Sequence, residues 1–262
     1  MPLQRTSLQN AMRAFFDITY GTDTRQRFDV YAPHHAKNAP VIFMVHGGGW
    51  TRGDKTAQET VENRVARWVQ RGFIFISTNY RMLPDTPPME QAKDIAHAVA
   101  TAQNQAKTWC GDHKKFILMG HSAGAHLVSL LSVSAPMTAD LDIKPWLGTV
   151  SLDSAALDVV DQMQRPHAAL YDRPFGRDPS YWSKVSPYHL LTKAVAPLFV
   201  VCSTHRSTSC KHAINFVAKT HSLGMHASLL PQNLLHKNIN HRLGKDSIYT
   251  DAVEAFLFSL IK

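Results

Sequence analysis

Short, continuous apolar runs alternate along the chain with stretches whose apolar residues recur every three to four positions. Residues 41–45 read Val-Ile-Phe-Met-Val, with Pro40 before them and a glycine cluster just after. Comparable runs occur at 73–77, 116–119, 147–152, 197–201 and 227–230, the last closed by Pro231. Runs this short without polar alternation predict strands buried on both faces. Residues 27–31 predict one more short strand, on an antiparallel edge, ahead of a turn at Pro33.

The intervening stretches predict helices. Ala92, Ile95, Ala96, Val99 and Ala106 form one apolar stripe. Cys210, Ala213, Ile214, Val217 and His221 form another, with Ser and Thr as start signals and Gly224 as a stop. A last helix over 247–260 presents Ala252, Val253, Phe256 and Leu260. Strands alternating with helices predict an α/β domain with a mostly parallel sheet covered on both faces. The length of 262 residues suits a single domain over 1–262. Residues 1–25 are expected to be an N-terminal extension or a lid. Residues 158–191, rich in Pro, Tyr and Trp, are expected to be an irregular insertion over the C-terminal side of the sheet, where a substrate pocket belongs.

Composition narrows the partners. The formal charge is +8, yet the basic residues are scattered, with no run longer than Lys114-Lys115 and no interleaved aromatics. That argues against a nucleic-acid groove and leaves a basic surface suited to acidic substrates. Residues 1–16 lack the apolar core of a secretory signal, and no stretch approaches the roughly 20 apolar residues of a membrane span. The expected location is the cytoplasm, with no membrane partner. The three cysteines do not form a disulfide framework; Cys202 and Cys210 are close enough to pair, but free thiols are the expectation. No His/Cys spacing fits a metal, so no metal and no organic cofactor is expected.

The chemistry concentrates in two motifs, each directly after a strand. The run 116–119 leads into Gly120-His121-Ser122-Ala123-Gly124 and then a helical stretch. Strand, sharp turn and helix are the context in which G-x-S-x-G presents its serine as a nucleophile, here Ser122. Upstream, the run 41–45 ends in His46-Gly47-Gly48-Gly49-Trp50. Acyl transfer needs fixed N–H donors around the oxygen that turns negative, and glycines let the main chain approach closely enough. Gly48 and Gly49, with Ala123 after the nucleophile, are the expected oxyanion donors. A phosphate loop is disfavoured, because no Lys-Ser/Thr follows and the G-x-G-x-x-G spacing is absent.

Together these motifs resemble the α/β-hydrolase serine esterases, in the branch with hormone-sensitive-lipase-like carboxylesterases, bacterial feruloyl-type esterases and kynurenine formamidases. Asn79-Tyr80-Arg81-Met82-Leu83-Pro84, and Asp94 on the next helix, are similar to the same branch. The resemblance implies the α/β-hydrolase fold, an eight-stranded sheet with its site at the strands' C-terminal ends. It also implies a small-molecule ester as partner, hydrolysed through a Ser122 acyl-enzyme; a homodimer is the assembly carried forward.

The fold order places the base after the last strand. His236 fits that slot and His241 is second. The acid departs from the pattern. Relatives carry it after the penultimate strand, but residues 202–210 contain no Asp or Glu, and Thr208 stands in the expected position. Asp153, after the preceding strand, is the leading candidate, because pancreatic-type lipases carry their acid there with a local sequence like Leu152-Asp153-Ser154-Ala155. Asp158 is second and looks more like a helix cap; a dyad without an acid is the remaining option. Trp50, Trp146, Trp182 and Tyr171 either line an acyl pocket or belong to the core. His121 is expected to pack, and Asp94 to make a structural hydrogen bond. An arylformamidase and a binding protein without turnover are the alternative functions.

Overall fold

The computed structural model describes residues 12–192 and 195–262. Its strands are β1 (Met12–Thr19), β2 (Arg27–Pro33), β3 (Ala39–Val45), β4 (Ile74–Thr78), β5 (Gly111–His121), β6 (Gly148–Leu152), β7 (Leu198–Ser203) and β8 (Ala227–Gln232). They form one eight-stranded sheet in the order β1-β2-β4-β3-β5-β6-β7-β8. The β1–β2 and β2–β4 pairs are antiparallel and every other pair is parallel. The helices are α1 (Gln58–Arg64), which continues into a π-helical turn over Val65–Val69, α2 (Pro88–Gln105), α3 (Ala123–Val133), α4 (Val159–Gln164), α5 (Asp172–Phe175), α6 (Pro179–Lys184), α7 (Pro187–Leu190), α8 (Ser207–Ser222), α9 (His236–Arg242) and α10 (Ile248–Ser259). Among the described residues no helix is long and apolar enough to cross a membrane.

The alternation of side chains along each strand sorts the core into two layers. Val41, Phe43 and Val45 join Phe116 and Leu118 on one face, under Ile95 and Val99 of α2 and Leu127 and Val128 of α3. Ile42, Met44, Ile117 and Met119 face the other way, against Trp68 and against Val253 and Leu257 of α10. Register keeps the layers aligned: Ile42 pairs with Ile117 on one side and with Phe75 on the other. A strand covered on both faces has no reason to alternate, which is why these segments read as continuous apolar runs.

The predicted strands recur with ends shifted by a residue or two, apart from β5, which starts earlier where Gly111 pairs with Ala39. β1 is a strand that apolar runs do not announce. It is an edge strand of half-buried and exposed positions, and Arg13, Asp17 and Thr19 interrupt its apolar residues, so it lacks the continuous run of a doubly covered strand. It occupies part of the segment expected to be a lid or extension; residues 1–11 of that segment lie outside the described residues. The 158–191 insertion contains four short helices, α4 to α7. Asp158 caps α4 by accepting the Asp161 N–H at 3.0 Å, and Asp178 caps α6 through Ser180.

One expectation is overturned. Cys202 and Cys210 are not free thiols but form a disulfide. β7 turns tightly into α8 and brings their Cα atoms to 5.1 Å, a spacing that a disulfide spans. Structural disulfides persist chiefly in oxidising compartments, which weighs against the cytoplasmic expectation. Cys110 remains a free thiol.

Two consequences for stability follow. A Cβ on Gly124 would run into the carbonyl oxygens of Val45 and His46, where α3 starts against the end of β3. Gly124→Ala is expected to cost about 1–3 kcal/mol in urea unfolding, the usual range for overpacking. The disulfide closes a short loop with a sequence separation of 8. Cys210→Ser is expected to cost about 2–3 kcal/mol, roughly 5–10 °C in thermal midpoint. A reducing agent should lower the midpoint of the wild type by a similar amount and leave the variant unmoved.

Candidate active site

Six parallel strands end on one side of the sheet, and the residues just past five of them, β3, β5, β6, β7 and β8, meet there. Ser122 follows β5 and caps α3 with φ 57° and ψ −117°, a conformation that costs an L-residue strain. Two backbone bonds hold the turn: Ser122 N–H donates to Leu152 O at 2.9 Å, and His126 N–H to Ser122 O at 3.1 Å. The side chain therefore stands out from the sheet end toward a cleft of about 860 Å³.

His236 is the first residue of α9, just beyond β8, and its Nε2 lies 2.9 Å from Ser122 Oγ. Its Nδ1 lies 2.6 Å from Asp153 Oδ2. Asp153 follows β6 with φ 54° and is fully buried. Its carboxylate is saturated with donors. Oδ1 accepts the Ser203 N–H at 3.0 Å and the Ser209 hydroxyl at 2.7 Å, while Oδ2 faces His236 and accepts from Arg206 Nη1 at 2.9 Å. Burial alone would raise this carboxyl group, but the His236 hydrogen bond, the Arg206 charge and the Ser203 and Ser209 bonds outweigh it and hold it far below the ordinary range. It is ionised wherever the protein is folded near neutrality.

Neutral histidines brace the surroundings. The His121 ring lies 4.6 Å from that of His236 at 31°, and its Nε2–H donates to the His236 carbonyl at 3.2 Å. Burial first, then the neighbouring His236 and Arg64, push His121 down to about 3. Burial likewise pushes His126 down to about 4. Its tautomer follows from its partners: Nδ1 accepts from the Trp50 indole at 3.2 Å, so Nε2–H donates to Val185 O at 2.7 Å. This bridge ties the glycine-rich loop, through Trp50, to the insertion over the site. Trp50 also packs edge-on against Phe175 and Tyr171.

The glycine-rich loop passes beside the elbow. A Cβ on Gly47 would sit 2.9 Å from His121 O and 3.0 Å from Ser122 Cβ. Gly48 has φ +126°, and a Cβ there would meet the Arg52 carbonyl. Among the described residues, the N–H groups of Gly48, Gly49 and Ala123 donate no hydrogen bond within the protein. For Ala123 this follows from its place as the first residue of α3, where helical N–H groups lack partners.

The structure thus brings Ser122, His236, Asp153, Gly48, Gly49 and Ala123 to one place. It does not bring the second choices to Ser122 or Asp153: Asp158 caps α4, and His241, exposed near the end of α9, lines the cleft without a hydrogen bond to either. Thr208 lies within α8 and makes no bond to His236. Trp50 and Tyr171 line the cleft, whereas Trp146 and Trp182 do not. Asp94 binds Arg81 and Gln26, away from the cleft. Sequence reasoning missed Arg206, Ser203 and Ser209. The signal was present: 202–210 offers hydroxyls and an arginine where an acid was expected, a set suited to receiving a carboxylate from elsewhere.

Comparison with known proteins agrees with this architecture. The family described as BD-FAE matches residues 28–219. Esterase LipC of Mycobacterium tuberculosis is 26% identical over 208 residues, which are 74% of this chain and 50% of LipC. A probable isoprenylcysteine alpha-carbonyl methylesterase of Oryza sativa is 31% identical over 113 residues, 43% of this chain and 27% of the relative. This chain spans half or less of the length of these curated relatives. Among solved structures, a truncated carbohydrate esterase from gut microbiota has a TM-score of 0.79 at 16% identity, covering 95% of this chain and 96% of its own. Esterase B of Lactobacillus rhamnosis has a TM-score of 0.76 at 17% identity, covering 98% and 89%. At such identities the solved structures speak for the fold, and the family match reaches across most of the chain: the protein belongs to the BD-FAE family, on the α/β-hydrolase fold.

Proposed function

We propose that this protein hydrolyses carboxylic esters through an acyl-enzyme on Ser122. The observation that carries the reading is the unbroken relay from Ser122 Oγ to His236 Nε2 at 2.9 Å and from His236 Nδ1 to Asp153 Oδ2 at 2.6 Å. With Nδ1–H donated to Asp153, Nε2 has its lone pair free to take the serine proton as Oγ attacks the ester carbonyl. The carbonyl oxygen becomes an oxyanion, and the unpaired N–H groups of Gly48, Gly49 and Ala123 are the donors assigned to it. Collapse breaks the bond to the alkoxy oxygen, which leaves as the alcohol with the proton from His236. Water, deprotonated by His236, then attacks the acyl-enzyme, and the acid leaves with Ser122 restored.

Asp153 holds the imidazole in the required tautomer and stabilises the imidazolium in passing. Its supply of a carboxylate counts against a binding-only role, which rested on Thr208 in the usual acid position. The esterase names of LipC and of the carbohydrate esterase favour an ester over a formamide.

Ser122→Ala should abolish both turnover of short p-nitrophenyl esters and labelling by a fluorophosphonate probe. Asp153→Asn should lower kcat by about 10³–10⁴, the range for loss of the orienting carboxylate, with the fold retained by circular dichroism. Asp158→Asn, at a cap that Asn also serves, should leave kcat within about twofold. The reverse ranking of the two aspartates would overturn the assignment of the acid.

A further inference from the structure

One contact at the site works against the relay just described. Arg206 Nη1 lies 2.8 Å from His236 Nδ1, 2.9 Å from Asp153 Oδ2 and 3.1 Å from Asp153 O. A guanidinium nitrogen of this kind carries two hydrogens, so it cannot give a full bond to each of three acceptors. If Arg206 donates to Nδ1, the ring's proton moves to Nε2, and His236 can no longer take the Ser122 proton. If instead Nδ1–H points to Asp153, two donor nitrogens face each other at 2.8 Å. In both cases a fixed positive charge lies against the ring that must become an imidazolium. Arg206 therefore stabilises the Asp153 carboxylate and opposes the base.

Arg206 also has somewhere to go. Its side chain is 28% exposed, it lines the cleft, and its Nη2 reaches the hydroxyl of Tyr171, another lining residue, at 3.4 Å. The cleft is cationic: Arg52, Arg173 and Lys237 also line it, and among the described residues none of the three has a carboxylate partner. Its two acidic side chains are Asp54 and Glu59, and Asp54 is already engaged by Arg25 and Asn79.

We propose that Arg206 is a specificity residue that selects esters carrying a free carboxylate on the acyl side, half-esters of short dicarboxylic acids. This rests on the acyl-enzyme reading above and names its substrate class. The substrate carboxylate takes a bidentate hold on the guanidinium and draws it off His236 Nδ1. Nδ1–H then belongs to Asp153 alone, and the relay holds its productive tautomer more fully with an acidic substrate bound than with a neutral one. Ser203, Ser209 and His236 keep Asp153 hydrogen-bonded meanwhile. The chemistry of the ester step is unchanged: the alcohol leaves, water enters, and the product is the dicarboxylic acid.

The test compares ethyl butanoate with monoethyl butanedioate, which differ by a methyl group replaced with a carboxylate, by release of ethanol from wild type, Arg206→Gln and Arg206→Lys. Fluorophosphonate labelling of each is measured with and without free butanedioate. The wild type is expected to favour the half-ester at least tenfold in kcat/KM. Arg206→Gln should bring the ratio to one or below, and Arg206→Lys should keep part of the preference. Butanedioate should protect the wild type from labelling and fail to protect Arg206→Gln.

A wild type that is labelled and turns over both esters equally overturns this inference and leaves the acyl-enzyme reading standing. A wild type that is neither labelled nor active on either ester removes both. Equal losses on the two esters in Arg206→Gln would reduce Arg206 to a support for Asp153 and overturn the inference as well. If that variant does not fold, the wild-type ratio and the butanedioate protection decide the matter.

Discussion

A carboxylate taken wholly out of water must find hydrogen-bond donors for both oxygens or it will not stay charged, and Asp153 imposes this demand at the centre of the protein. Its donors come from the end of β7, the turn behind it, the first turn of α8 and the start of α9. The disulfide joins the residues that flank this turn, with Ser203, Arg206 and Ser209 all between Cys202 and Cys210. One buried charge thus fixes the mutual placement of the ends of β6 and β7 and the starts of α8 and α9.

The carboxylate that faces His236 stands after β6 and not after β7, and the sheet explains how this works. β6 lies between β5, which ends at the serine, and β7. A side chain just past either strand can reach the same imidazole, so the fold constrains a point in space more tightly than a place in the chain. The β7 turn, relieved of supplying the carboxylate, supplies what the carboxylate needs. Arg206 comes with that exchange: a turn that holds the Asp153 carboxylate by a guanidinium also sets a cation beside His236.

The glycine-rich loop depends on a separate support. Its backbone runs against the elbow because Gly47 and Gly124 have no side chains to hold β3 and α3 apart. Beyond them Trp50 anchors the loop. Its indole donates to His126, which reaches through to Val185 in the insertion, while its carbonyl accepts from Gln91 and Leu83. A neutral, fully buried histidine is well suited to this bridge, since one nitrogen accepts and the other donates.

The sequence by itself determined the strands and helices of the central sheet, because residues 41–45, 73–77 and 116–119 are apolar on both faces and only a doubly covered strand accommodates that. It also located the elbow and the glycine-rich loop, whose chemistry is local: a few consecutive residues carry each turn. His236 was legible from the order of elements alone. Edge strand β1 was not, because Arg13, Asp17 and Thr19 interrupt its apolar residues and leave no continuous run of the doubly covered kind. Nor were the disulfide, the donors around Asp153 or the position of Arg206, which arise where β6, β7 and α9 meet after long crossings. Which carboxylate serves His236, and which cation presses against it, are distances between strand ends, and only the folded sheet sets those distances.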